Sequence, residues 1–159
     1  MSRILRNTLL AITAANALAI APLAVSHLDD KQMMQSYRQS YLALLGLNFG
    51  PMVAMVKGEI PWDQERLEAF AEDLDTLMDV DFLRGFPPGS ERGTTRAKPE
   101  IWDNKDDFAN KFADLQKAVE SLEDAAETGD REAIAREVAA TGDACKACHD
   151  DYKSKDYLY

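Results

Sequence analysis

Basic residues are in short supply. The 159-residue chain carries 18 Lys and Arg against 28 Asp and Glu, a formal net charge of −10. Such a surface repels nucleic acid and anionic lipid, and it favours solubility or a basic partner. The acids are interspersed rather than run together, so they read as solvated helix faces. Internal repeats, low-complexity tracts and a second domain are lacking as well. No segment alternates convincingly with period two, which argues against a sheet. Cysteine and histidine are as scarce as any residue type, with two of each.

Both cysteines and one histidine nevertheless fall within "GDACKACHDDYK", residues 142–153. A structural zinc site would need four ligands, and the other histidine, His27, is far away in sequence. A thioredoxin-like dithiol would need the C-x-x-C at the strand-to-helix turn of a βαβ unit. The third reading is covalent haem attachment, in which Cys145 and Cys148 add to the vinyl groups and His149 ligates the iron. On a helix these thiols lie one turn apart, and the next residue can turn its imidazole toward the porphyrin.

Compartment and fold decide between these readings. Residues 1–26 contain no acid, begin with Arg3 and Arg6, and continue as an apolar stretch ending in Ala24-Val25-Ser26. This pattern predicts a signal peptide cleaved before His27. Thr13, Asn16 and Pro22 break the run, leaving too little clean apolar length for a bilayer span. The expected destination is the periplasm, with no membrane association after cleavage. Losing Arg3 and Arg6 leaves 16 basic against 28 acidic residues, a charge of −12 for residues 27–159, one domain's worth of chain.

The rest is helical in rhythm. Met34, Tyr37, Tyr41, Leu44 or Leu45, and Asn48 or Phe49 keep a three-four spacing, and Gly50-Pro51 is expected to end or kink that helix. "VKGEIP" makes a corner. Asp63 caps a second helix with the stripe Leu67, Phe70, Leu74 and Leu77 or Met78. Residues 84–99 form a long connection rich in Gly, Pro and Thr, of the kind that is functional or packed on something. Asp103 is expected to cap a third helix with Phe108, Phe112, Leu115, Val119, Leu122 and Ala126. Thr128-Gly129-Asp130 stops it and starts a fourth, with the stripe Ile134, Val138, Thr141, Cys145, Cys148 and Tyr152. Four amphipathic helices with mostly short corners predict an all-α, antiparallel up-down-up-down bundle. That excludes the βαβ setting and puts both thiols on an inward seam, where a haem can enter the core.

Four stretches then carry a family resemblance. "YRQSYLALLGLNFGPM" (37–52), "VKGEIPWD" (56–63), "KPEIW" (98–102) and "CKACHDDYK" (145–153) together resemble, in order, the cytochrome c′ family of class II c-type cytochromes. The resemblance implies one five-coordinate haem c, with thioethers at Cys145 and Cys148, His149 as the proximal ligand and the sixth position open. It also implies that Arg38 and Gln39 lie near the propionates and that Leu42 stands over the iron. Arg96, in the connection, is a further candidate for a propionate. Lys153 matches a basic residue beside the proximal face, and it equally suits the last turn of a helix.

A leucine offers neither a lone pair nor a hydrogen bond, so such a distal face excludes water and leaves bound O₂ without stabilisation. NO and CO remain as guests. The resemblance implies selective NO binding, with a part in NO tolerance or trafficking, and homodimers through the first two helices. Tyr37, Tyr41 or other apolar residues of the first helix would supply the dimer surface or belong to the core. Two rival functions make demands on particular residues. An electron-transfer cytochrome would need a methionine sixth ligand, but Met33, Met34, Met52 and Met55 lie off the matched distal position. A haem enzyme such as a peroxidase would need a distal acid–base group, and none is evident. The expectation is a gas-binding carrier, not an enzyme.

Overall fold

Turn-forming residues divide residues 33–158, the part of the chain that the computed structural model describes, into four long helices and a small ribbon. The leader expected over residues 1–26, and His27, lie outside that range. Helix α1 runs Met33–Val56, α2 Gln64–Met78, the one-turn α3 Glu100–Asp103, α4 Lys105–Thr128 and α5 Arg131–Tyr152. The Asp63 carboxylate accepts from Arg66 N–H and caps α2. Gly129, at φ 68°, stops α4 in the left-handed conformation that glycine tolerates best. Asp130 then accepts from the N–H groups of Glu132 and Ala133 and opens α5.

Two boundaries differ from expectation. Gly50-Pro51 does not end α1, which continues to Val56 with Pro51 inside it. Proline removes one backbone donor. The carbonyl it would have served belongs to Leu47, a residue 69% exposed, where water can take its place. Asp103 does not cap the third long helix. It closes α3 instead, and Asn104 occupies the cap position without a side-chain bond to the helix start.

The long helices pack in a ring: α1 on α2, α2 on α4, α4 on α5, and α5 back on α1. With short corners at 57–63 and 129–130, this is the antiparallel four-helix bundle the pattern predicts. The α4–α5 seam is the most extensive and the α1–α5 seam the sparsest. Leu67 and Leu74 of α2, Val119 and Leu122 of α4, Ile134 of α5 and Met52 of α1 are the innermost side chains. One end of the core is aromatic. Phe82 stacks on Tyr41 with centroids 4.7 Å apart, and Phe108 meets Phe86 at 4.8 Å and Tyr152 at 5.2 Å.

The 84–99 connection is packed rather than loose. A 3₁₀ turn at Leu83–Gly85 is followed by strand β1, Thr95–Ala97. It pairs antiparallel with β2, Lys153–Leu158, with an irregular register between Thr95↔Leu158 and Ala97↔Lys153. This ribbon was not expected. "KSKDYL" shows no alternation because the strand has no buried face to serve; only Ser154 and Leu158 are half-buried.

Candidate functional site

Helix α5 delivers the chemistry-bearing residues. Ile134, Val138, Thr141 and Tyr152 of its stripe are buried. Thr141 satisfies its hydroxyl by donating within reach of Glu137 O (2.9 Å) and Ala118 O (3.2 Å), which ties α5 to α4. Cys145 and Cys148 are half-buried and not bridged to each other, with Cys148 packed against the core's edge. Burial raises both thiols above their ordinary range, and Cys148 is pushed up to about 11. Lys111 opposes part of that shift at Cys148, while neighbouring negative charge adds to it.

His149 follows at the surface. Partial desolvation, then the positive charges of Lys153 and Arg96, hold its imidazole below the usual value. The neutral ring is the form whose nitrogen lone pair can ligate a metal. Helix α4 buttresses this end of α5. The Tyr152 hydroxyl donates to Asp107 at 2.5 Å, and Lys111 pairs with Asp151 at 2.9 Å. Sequence reasoning passed over Lys111 and Asp107. Their signal was position, since both flank Phe108 and Phe112 at the edge of the α4 stripe.

Helix α1 contributes a buried cation. Arg38 is only 3% exposed, and burial lowers its pKa. One terminal nitrogen donates to Gly85 O (2.6 Å) and Ser90 Oγ (3.1 Å), and the other donates to Ser90 O (3.0 Å). The guanidinium also lies over Phe86 and Trp102, 5.1 and 5.6 Å from their centroids. Its partners are neutral: none of the ion pairs among the described residues includes it. Gly85 permits the close approach, because a Cβ there would stand 2.9 Å from the Tyr37 ring and 3.0 Å from Arg38 Cγ.

Gln39 is exposed, and Leu42, one turn beyond Arg38, is 46% exposed. Arg96 is half-buried and committed to backbone, donating from Nε to Ser154 O and from a terminal nitrogen to Lys155 O, both at 2.8 Å. Lys153 leaves α5 with its own N–H on His149 O. Cys145, Cys148, His149, Lys153 and Arg96 are thus gathered at one end of α5. Arg38, Gln39 and Leu42 stand on α1, the helix that meets α5 across the sparsest seam.

A covalently held haem suits this donor set. Two half-buried thiols one turn apart can form thioethers without dismantling the core, and the adjacent imidazole is neutral and accessible. A buried guanidinium without a carboxylate favours an anionic neighbour such as a propionate, because an uncompensated buried charge is costly.

The family model described as Cytochrome C' matches residues 33–153. Cytochrome c' from Cereibacter sphaeroides is 37% identical over 158 residues, covering 98% of this chain and 99% of that protein. The solved structure of cytochrome c prime from Shewanella frigidimarina superposes with a TM-score of 0.75 at 35% identity, covering 81% of this chain and 100% of that one. A nitric oxide complex of a leucine-to-isoleucine variant of cytochrome c prime from Alcaligenes xylosoxidans gives 0.71 at 36% identity, covering 79% and 97%.

Proposed function

Because the chain belongs to the cytochrome c′ family, whose members carry covalently bound haem c, we propose that it is an exported, five-coordinate haem protein that binds NO and CO at an apolar face and serves in NO tolerance or trafficking. When bound, the haem supplies the iron that takes the diatomic ligand. The chain's own residues do the rest. Cys145 and Cys148 would anchor the group to α5 and His149 would ligate its iron, with Lys153 one turn further along the chain. Arg38 and Gln39 would serve the propionates, and Arg96 would join them only through the part of its guanidinium not bonded to Ser154 O and Lys155 O. Leu42 would give a ligand on the iron an apolar neighbour, whose methyl groups exclude water and offer O₂ no hydrogen bond.

The observation that carries this reading is the pairing of two exposures. The half-buried C-x-x-C-H turn of α5 and the uncovered Leu42 of α1 stand on the two helices whose seam the chain packs least. A relative solved with bound nitric oxide supports NO as the guest. A methionine-ligated electron-transfer role has less support, because Met52 and Met55 are committed to the core at 0% and 4% exposure.

The dimer belongs to the same proposal. Tyr41 is core and donates to Leu77 O at 2.7 Å, whereas Tyr37 is half-buried with its hydroxyl on Asp81 O. Leu44 and Leu47 of α1, at 46% and 69% exposure, offer the dimer a surface. Mass spectrometry of the mature protein with ferric and ferrous absorption spectra tests the whole. One haem on two thioethers, high-spin and five-coordinate, is expected. A low-spin spectrum with a methionine-to-iron band overturns gas binding in favour of electron transfer.

A further inference from the structure

An α-helix leaves its last four carbonyls without partners of its own, and a metal ligand placed in that last turn is held only as firmly as the turn itself. Helix α5 ends at Tyr152, so its final four carbonyls belong to His149, Asp150, Asp151 and Tyr152. All four are satisfied. His149 O accepts from Lys153 N–H as the chain turns into β2. The other three are served by one residue of the distant 84–99 connection. Lys98 Nζ donates to Asp150 O (3.2 Å) and Asp151 O (2.8 Å), and Lys98 N–H donates to Tyr152 O (3.0 Å).

Local sequence explains why Lys98 can do this. It precedes Pro99, which disfavours helical backbone at position 98 and keeps its N–H out of the one-turn helix that follows. That N–H is then free to reach across to Tyr152. Its carbonyl still serves α3, accepting from Ile101 N–H at 3.2 Å. The side chain is half-buried, and its ammonium sits against the negative end of the α5 dipole with no carboxylate among its recorded bonds. Arg96, two residues earlier, adds two bonds to the backbone just beyond, at Ser154 and Lys155.

We propose that Lys98 is a positioning residue for the iron ligand: by capping the end of α5 it fixes the turn that carries His149 and hence the ring's approach to the iron. This rests on the haem reading above. Groups that hold a ligating histidine from outside set how firmly it is oriented, although they never touch the metal.

The test uses the haem-loaded protein with Lys98→Met, which keeps the apolar stem and removes the donor, and Lys98→Arg, which restores two donors. Lys105→Met, an exposed lysine on α4, is the control. In Lys98→Met, amide exchange over residues 150–153 should rise about tenfold, the scale of a lost cation at a helix end. The iron–histidine stretching band of the ferrous protein should broaden and shift. Lys98→Arg should restore both, and Lys105→Met should move neither.

An unchanged iron–histidine band in Lys98→Met overturns the proposal, whatever happens to its urea midpoint. So does the same change in Lys105→Met, or a failure of arginine to restore either readout. If the parent itself shows no iron–histidine band, the haem reading falls and this inference with it. A parent band that Lys98→Met leaves untouched removes this inference alone.

Discussion

Helices α1 and α4 are both 24 residues long, and they are opposites. Helix α1 has a single charged residue, Arg38, and is long and apolar enough by composition to cross a membrane. Yet it buries only Arg38, Tyr41, Met52 and Met55. Helix α4 bristles with acids and lysines and still buries Phe108, Phe112, Val119, Leu122, Ala125 and Ala126. Apolar composition is therefore not burial. The stripe of α4 is covered by the chain's own side chains, while much of α1's apolar surface faces outward. That surface has two parts. Leu44 and Leu47 share one face at i, i+3, and Leu42 projects roughly opposite Leu44. On the proposed reading, Leu42 faces the haem and the other two face a second copy.

The contrast can be broken in three ways. The largest effect belongs to replacing both thiols. Cys145→Ser with Cys148→Ser should abolish covalent haem, read as loss of the haem mass. Amide exchange should then rise along α1 far more than along α4, whose stripe the chain covers by itself. Equal deprotection of the two helices would dissolve the comparison.

Truncating a leucine on each helix comes next. Leu122 of α4 is fully buried, so Leu122→Ala should cost about 2–5 kcal/mol in urea denaturation. Leu47→Ala, at 69% exposure, should stay within about 0.5 kcal/mol in dilute protein. A large loss from Leu47→Ala would mean that α1 is covered in a way the bundle alone does not explain.

Leu42 gives a small change in stability and the sharpest functional one. Its side chain is nearly half in water within the chain's own fold, so Leu42→Ala should cost about 1 kcal/mol or less before the haem is counted. CO affinity should nevertheless rise, because a ligand would no longer push against the isobutyl group. Leu42→Met should draw some iron toward six-coordinate low spin. Unchanged spectra and CO affinity in both variants would place Leu42 away from the iron.

How much of this could be read from sequence depended on whether the cause was local. The α4 and α5 stripes recur every three or four residues, and the caps at Asp63, Gly129 and Asp130 are short-range chemistry, so all were legible. The adjacency of Cys145, Cys148 and His149 was legible for the same reason. Of the two outcomes expected at Pro51, the helix end does not occur, because the cost of the proline depends on whether water reaches the Leu47 carbonyl, which only the bundle decides. Asp103 misled because Pro99 and Glu100 start an extra turn ahead of α4. The β1–β2 ribbon and the seat of Arg38 on Gly85 and Ser90 were hidden, since both join residues far apart in sequence without a pattern to announce them.

That ribbon also sets an order of events in time. The α4–α5 hairpin closes through Gly129 and Asp130, a loop short enough to form early. The ribbon pairs Ala97 with Lys153, and the Arg96 side chain reaches Ser154 O across 58 positions; the entropy of so long a closure is met only after nearer contacts have formed. During folding, the C-x-x-C-H turn therefore emerges on a helix already docked along most of its length but still unfastened at its far end. In the native state the strand pair, with little buried surface, should open more readily than the bundle core, read as faster amide exchange over 153–158 than along α4.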